Sequence, residues 1–237
     1  MSLLEYFTKD WKMLNYRVEI VPKEKGKEWI KEKHYAKRQP PTSYLFGLII
    51  GSEIVGICSF GTPASNAIRS VYDDYKVLEL NRLCVNDGLQ KNTLSFFVGK
   101  CLKMIEKPCV VVSYADTSMT HNGYIYQATN WVYTGLSAKV KDYKVRGMEH
   151  LHTSTIFDMS RGQKHRGKWL KEKFGDNLYF ADRDRKHRYF YFIGSKTEKK
   201  DMLKKLRFKV EDYPKGENKR YDSSYEVKDK FINPTLF

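Results

Sequence analysis

Two strand-length apolar runs, SYLFGLII and EIVGICSFG, meet at Gly51-Ser52, and this pairing constrains the chain more than any other stretch. A glycine-led two-residue connection matches the twist of paired strands, so a hairpin is expected over residues 43–61. Strand-like and helix-like periods alternate around it. YRVEIVP (16–22) alternates apolar and polar as a half-buried strand does. Pro22 opens a helix through KEKGKEWIKEKHY, with Trp29, Ile30 and His34 near one face, and Pro40-Pro41 closes that unit. Residues 62–76 are polar and irregular and read as a surface loop. LELNRLCV (78–85) is the next strand, with Leu78, Leu80, Arg82 and Cys84 on one side and Glu79, Asn81 and Leu83 on the other. NTLSFFVGKCLKMIE (92–106) reads as an amphipathic helix capped by Asn92 and stopped by Pro108. CVVVSYAD (109–116) is nearly continuous in apolar residues, the pattern of a central strand covered on both faces. HNGYIYQATNW (121–131) reads as a short helix.

This order predicts an α/β fold, a mixed sheet flanked by helices. Residues 1–136 form its core. Residues 137–237 are a basic, aromatic part that completes the fold, with RYFYFI a strand and EKKDMLKKLRF a helix. The last ~25 residues have weak periodicity and read as flexible. Lys and Arg number 43 against 28 Asp and Glu, a net charge of +15. A surplus of that size repels itself unless a polyanion neutralises it, and nucleic acid is the commonest such partner. Lys37, Arg38, Arg161, Lys164, Arg166 and Lys168 are the expected contacts to DNA phosphates. Cys58, Cys84, Cys101 and Cys109 match no zinc or redox spacing and lie in apolar settings, so buried, reduced thiols and a cytoplasmic setting are expected. MSLLEYFTKDWKMLNY lacks the apolar core of a signal peptide, and no apolar run is long enough to span a bilayer.

Three groups of residues have the composition of a reactive site. His34-Tyr35, ahead of Lys37-Arg38, offers a group that titrates near neutrality, although a histidine ending a helix also serves the helix dipole. Glu79-x-Asn81-Arg82 puts charge inside an apolar strand, where it costs several kcal/mol unless partnered. Glu79 and Asn81 would project about 6–7 Å apart. That spacing suits an amine or a metal, and a buried Glu–Arg pair suits it equally. Ser113-Tyr114-Ala115-Asp116 ends a central strand and is followed by His121, Tyr124 and Gln127, where open α/β sheets collect ligands. Phosphate-loop, HExxH, nucleophile-elbow and zinc-deaminase signatures do not occur.

Taken together, HYAKRQPP, YLFGLIIGSEIVGICSFG, LELNRLCV, NTLSFF, VVSYAD and HNGYIYQATNWVYTG resemble the phage Mom family of DNA adenine modifiers over residues 34–135. The resemblance implies an acyl-CoA N-acyltransferase (GNAT) fold working in an infected bacterium. The implied product is adenine bearing an acetamido-type, carbamoylmethyl-like group on N6, which blocks restriction. Matching blocks carry over His34, Tyr35, Glu79, Asn81, Arg82, Ser113 and Asp116 as catalytic, and Tyr114, Tyr124, Gln127 and Trp131 as substrate-binding, to which the residues after the SYAD strand add His121. Asp116 or Glu79 would accept the proton, with His34 or Tyr35 orienting substrate. A buried base pair must open for N6 to be reached, and Tyr124, Tyr126, Trp131 and Tyr133 are the aromatics available to stack on the extruded base. Tyr126 and Tyr133 read better as core. The loop VNDGLQKNT has one glycine where acyltransferases cradle pyrophosphate with several. Acetyl-CoA and another acyl or glycyl donor both remain open, as does iron held among His34, Tyr35, Glu79, Asp116 and His121. The alternatives to base modification are an acetyl-CoA-dependent N-acetyltransferase acting on a protein or small amine, and a non-catalytic DNA-binding protein.

Overall fold

In a computed structural model, which describes residues 16–35, 37–151, 153–217 and the backbone of 229–230, the expected hairpin forms as β2 (Tyr44–Ile50) and β3 (Glu53–Gly61). Gly51 turns it at φ +58, a conformation strained for any residue with a side chain. β1 (Tyr16–Ile20) pairs antiparallel with β2, and β4 (Lys76–Val85) pairs antiparallel with β3. β5 (Cys109–Asp116) runs parallel to β4, and β9 (Lys186–Ile193) lies antiparallel between β5 and β6 (Val132–Leu136). The sheet order is therefore β1-β2-β3-β4-β5-β9-β6, with β10 (Asp229–Lys230) added on β3. The fold is a mixed α/β sheet flanked by helices.

The apolar run of β5 is buried on both faces. Val110 and Val112 pack with Ile68, Tyr72, Phe190 and Met202, whereas Cys109, Val111 and Ala115 pack with Phe97, Val98 and Cys101 of α3 (Thr93–Met104). A third cluster sets Trp29 and Ile30 against Ile49, Ile57 and Cys84. Those two residues sit on a helical segment that starts as a 3-10 turn (Lys23–Lys25) and passes through α1 (Gly26–Glu28) into a π turn (Trp29–Lys33). The wide turn ends with the His34 N–H donating to the Trp29 carbonyl at 3.0 Å, and His34 itself is extended. All four cysteines are buried and free.

Two expectations are corrected. Residues 62–76 are not all loop: α2 (Asn66–Val71), capped by the Ser65 hydroxyl, seats Ile68 in the core. Its six residues are too few for a periodicity to register. Asn92 does precede α3, but at φ +70 its side chain makes no capping bond. Residues 211–217, which reach into the start of the C-terminal stretch expected to be flexible, are bonded to the body of the fold. The Glu211 N–H donates to the Tyr133 carbonyl (3.1 Å), Tyr213 Oη to the Trp131 carbonyl (2.7 Å) and Tyr124 Oη to the Gly216 carbonyl (2.5 Å). The rest of that C-terminal stretch, 218–228 and 231–237, and the N-terminal 1–15 lie outside the described residues.

Between β6 and β9 the chain makes an excursion. β7 (Lys141–Val145) and β8 (Leu178–Asp182) pair as a separate two-stranded sheet. Val145, Ile156 and Leu170 form a small core there with α5 (Thr153–Asp158) and α6 (Arg166–Phe174). The chain then returns through β9 to α7 (Lys196–Lys205), which starts with a Ser195–Glu198 capping box. Among the described residues no helix is long and apolar enough to cross a membrane.

Candidate active site

The parallel ladder between β4 and β5 stops at Leu80 and Ser113, although β4 continues to Val85 and β5 to Asp116. Beyond that point the strands part. A bulge on β4 coincides with the parting: Arg82 pairs with Ser59 and Leu80 with Phe60, which leaves Asn81 over. One extra residue reverses the alternation. Leu78, Leu80 and Leu83 therefore face α3, while Cys84 joins Trp29 on the other face. The expected grouping of Leu78, Leu80, Arg82 and Cys84 on one side is thus wrong.

The gap between the strands opens into a cleft of about 570 Å³. His34, Tyr35, Asn81, Arg82, Tyr114, His121 and Tyr124 line it, together with α4 (Tyr124–Ala128) and the start of α3. The segment carrying His34 is held across the end of β3 because residue 61 is glycine: a Cβ there would lie 1.8 Å from the Pro41 carbonyl oxygen. The Asn81 amide ties the same carbonyl at 2.9 Å and accepts from Ser59 Oγ at 2.6 Å. Arg82 donates to its neighbour's carbonyl and, at 2.6 Å, to the carbonyl of Arg38.

Burial sets the protonation states. It lowers the His34 pKa to about 3, helped by Arg82, His121 and Lys186, so the imidazole is neutral at physiological pH. His34 stacks on Tyr35 at 4.5 Å, and Tyr35 meets His121 edge-on at 6.1 Å. Burial also pushes the Tyr35 and Tyr114 phenols up to about 12. The two carboxylates diverge. Burial raises the Glu79 pKa against the opposing Ala64 N–H, Arg82 and Lys186. Burial acts on Asp116 in the same sense, but Lys186 at 2.8 Å and the Ser118 hydroxyl and N–H outweigh it and hold its carboxyl below the usual range.

The chain matches the Mom protein family over residues 15–215. It belongs to the Mom family. Methylcarbamoylase mom of Escherichia phage Mu is 31% identical over 208 residues, 84% of this chain and 83% of that one. Two solved structures are similar at low level. A GNAT family acetyltransferase from Elizabethkingia anophelis, with acetyl-CoA bound, has a TM-score of 0.41 at 11% identity over 76% of this chain and 99% of its own. An acetyltransferase of Bacillus subtilis in complex with CoA has a TM-score of 0.36 at 11% identity over 75% and 99%.

Not every residue of the Mom-like blocks reaches the cleft. Ser113 is fully buried behind the wall, with its hydroxyl bonded to the Leu80 carbonyl and to Tyr126 Oη, both at 2.8 Å. Glu79 and Asp116 stand outside the lining, within electrostatic range of Arg82 and Tyr35 respectively. Gln127 instead bonds the Asn122 and Pro214 carbonyls, fixing the 211–217 strap. Trp131 is core, packed on Tyr126 and Tyr191, and Tyr133 is core beside His187. Of the expected base-stacking aromatics, Tyr124 and Tyr126 line the cleft, and Tyr124 is the exposed one. Among the described residues no three His, Cys, Asp or Glu side chains gather as a metal site, so iron has no ligand set there.

Three residues of the site were not foreseen in the sequence of this Mom-family chain. Lys186 of β9 pairs with Asp116 and reaches Glu79 and His34 electrostatically. Lys33 lines the cleft with only 4% of its side chain exposed and pairs with Asp87 at 3.5 Å. Thr93, in the first turn of α3, buries a hydroxyl that has no hydrogen-bond partner. Lys33 and Lys186 stand in runs of similar basic residues, which hide them in a single sequence.

Among the expected phosphate contacts, Lys37, Lys164 and Arg161 are exposed. Lys168 is also exposed but pairs with Glu172 at 3.7 Å. Arg166 is folded onto Phe157. Arg38 leans on Asp158.

Proposed function

We propose that this chain is a transferase that places a carbamoylmethyl-type group on the exocyclic N6 of adenine in DNA, in the cytoplasm of an infected bacterium, so that the DNA resists restriction. The observation that carries this reading is the meeting of the HY, ELNRL, SYAD and HNGY blocks around one cleft at the parted strands. The name of the phage Mu relative, a methylcarbamoylase, supports the nature of the group transferred.

The base would enter past Tyr124, a lining residue that is 40% exposed. Extrusion costs a few kcal/mol, and stacking on an aromatic returns about 1–3 kcal/mol. As the new C–N bond forms, N6 must lose a proton. Neither carboxylate lines the cleft, so the proton would reach one through a water or through Tyr114, which lines it within range of Glu79. Glu79 suits the terminal role better than Asp116, because a carboxylate raised by burial binds a proton more readily than one held down by Lys186 and Ser118. His34, neutral and stacked on Tyr35, orients the base without adding charge. Arg82 lines the cleft with its Nε buried and unpartnered, a donor that a bound carbonyl oxygen would satisfy.

The residues present also fit a phosphate-bearing acyl donor such as acetyl-CoA. The N-terminal end of α3 favours an anion, the unpartnered Thr93 hydroxyl stands in its first turn, and Lys33 is a buried cation in the same lining. When bound, acetyl-CoA would supply only an acetyl group and leave as the CoA thiol, so the carbamoylmethyl product calls for a donor of the glycyl type, which also carries the amide nitrogen.

The test is to express the protein in bacteria, digest their DNA to nucleosides and weigh them. A deoxyadenosine heavier by one carbamoylmethyl group is expected, and Glu79→Gln should abolish it. Unaltered nucleosides under good expression would refute the reading. Acetyl transfer to a small amine with DNA unchanged would identify an N-acetyltransferase instead.

A further inference from the structure

Three guanidinium groups converge on a single carboxylate beside the cleft. Asp158, the last residue of α5, has Oδ2 at 3.4 Å from Arg38 Nη2 and Oδ1 at 3.4 Å from Arg161 Nη2 and 3.7 Å from Arg166 Nη2. These contacts are at or beyond the outer limit of a hydrogen bond, so the one acid does not saturate the three bases. Arg166 is fixed in place. Its guanidinium lies 3.7 Å over the Phe157 ring and donates to the Phe157 carbonyl at 2.6 Å and to Ser160 Oγ at 3.1 Å. Arg38 and Arg161 are not so fixed, with 44% and 80% of their side chains exposed.

The cluster's position matters as much as its charge. Arg38 follows closely on Tyr35, which lines the cleft, and its carbonyl accepts from Arg82, which lines it too. An ion pair spanning 120 residues of sequence thereby sets the excursion that carries Asp158, Arg161 and Arg166 against Arg38, which lies one side chain out from the cleft rim. A nucleotide whose base is extruded into the cleft must leave its own backbone at that rim.

We propose that the Asp158-centred arginine cluster seats a backbone phosphate of the DNA strand whose base enters the cleft, with Asp158 holding Arg38 and Arg161 in place until the phosphate displaces it. The inference rests on the DNA-modifying reading. A phosphodiester brings one negative charge to a site with a surplus of two positive charges, and guanidinium groups grip phosphate oxygens in bidentate fashion. A phosphate of the acyl donor offers the same chemistry, so the test must separate the two sources.

Full-length wild type, Arg38→Gln, Arg161→Gln and Asp158→Asn would be titrated against a short fluorescent duplex over a KCl series. Acetyl-CoA binding would be measured by calorimetry in parallel. Each arginine variant should bind the duplex about 3- to 10-fold more weakly and lower the slope of log K against log salt by about one. Asp158→Asn should bind it more tightly, because a competing anion is gone. Acetyl-CoA affinity and thermal midpoints should not move. Unchanged duplex affinity and slope in both arginine variants would overturn the proposal, and so would lost acetyl-CoA affinity with duplex binding intact. Binding is read without turnover, so the two ideas fail separately. Arginine-dependent duplex binding with no modified adenine sinks the chemistry alone, whereas modified adenine with arginine-insensitive binding sinks the cluster alone.

Discussion

Acidification should unfold this protein partly through His34. The side chain is 6% exposed, and burial first, then Arg82, His121 and Lys186, bring its pKa from 6.5 to about 3. For a histidine depressed in the folded state the sign is fixed. Its contribution is complete above the unfolded value and is lost as pH falls toward the folded one, because the unfolded chain takes up a proton that the native site refuses. Each pH unit inside that window costs about 1.4 kcal/mol, so about 2 kcal/mol disappears between pH 6.5 and about pH 5. In a chain of 237 residues that corresponds to a fall of about 4–8 °C in Tm. His34→Gln removes the titrating ring. Its Tm at neutral pH can be lower for packing reasons, so the informative quantity is the gap between the two proteins across pH. Melts followed by circular dichroism at constant ionic strength should show that gap narrowing by those degrees as pH falls from about 7 to about 5. Parallel curves would refute the burial argument and the neutral imidazole with it.

Two further substitutions separate structural from chemical roles. Ser113→Ala leaves Tyr126 Oη buried without its partner and should cost about 1–3 kcal/mol in urea unfolding, yet leave adenine modification intact in protein that folds. Loss of modification at unchanged stability would return Ser113 to the chemistry. Lys186→Met strips the cation from Asp116, which keeps its two Ser118 contacts. Because the lysine side chain is 38% exposed, the loss should be about 1–2 kcal/mol, below the cost of breaking a fully buried pair. A depressed carboxylate gives stability that is present above its unfolded pKa and lost below, so the difference between variant and wild type should vanish as pH falls through the carboxylate range. A difference that persists in acid would show that packing, not charge, was removed.

Much of the scaffold was legible because its signals are local. The Gly51-Ser52 hairpin, the apolar β5 run and the Phe97–Cys101 face of α3 each follow from a short window. The site was legible only in part, because its geometry depends on pairings that no window contains. The bulge at Asn81 is a mismatch between β3 and β4, and it alone decides which way Arg82 and Cys84 point. Ser113 was expected in the site through its SYAD neighbours. Strand alternation, together with the Tyr126 hydroxyl opposite, turns it into the wall. Lys186 reaches the site because β9, some seventy residues further on, slots in beside β5 and pairs residue 186 with Asp116. Arg38, Arg161 and Arg166 are expected from sequence as separate phosphate contacts, and nothing in a single window signals that all three meet at Asp158.

The charges around the cleft also bear on why a nearly inert histidine sits among its lining residues. Burial is the largest influence that keeps His34 unprotonated, but Arg82 and Lys186 act in the same direction. Both expected ligands, a strand of DNA and a phosphate-bearing donor, are polyanions. Their arrival neutralises part of the cationic field around His34, but it also expels water from the cleft, and burial is the larger of the two influences on the ring. The imidazole therefore stays neutral when the site fills, which suits a group that orients a base by stacking and hydrogen bonding rather than one that carries its proton.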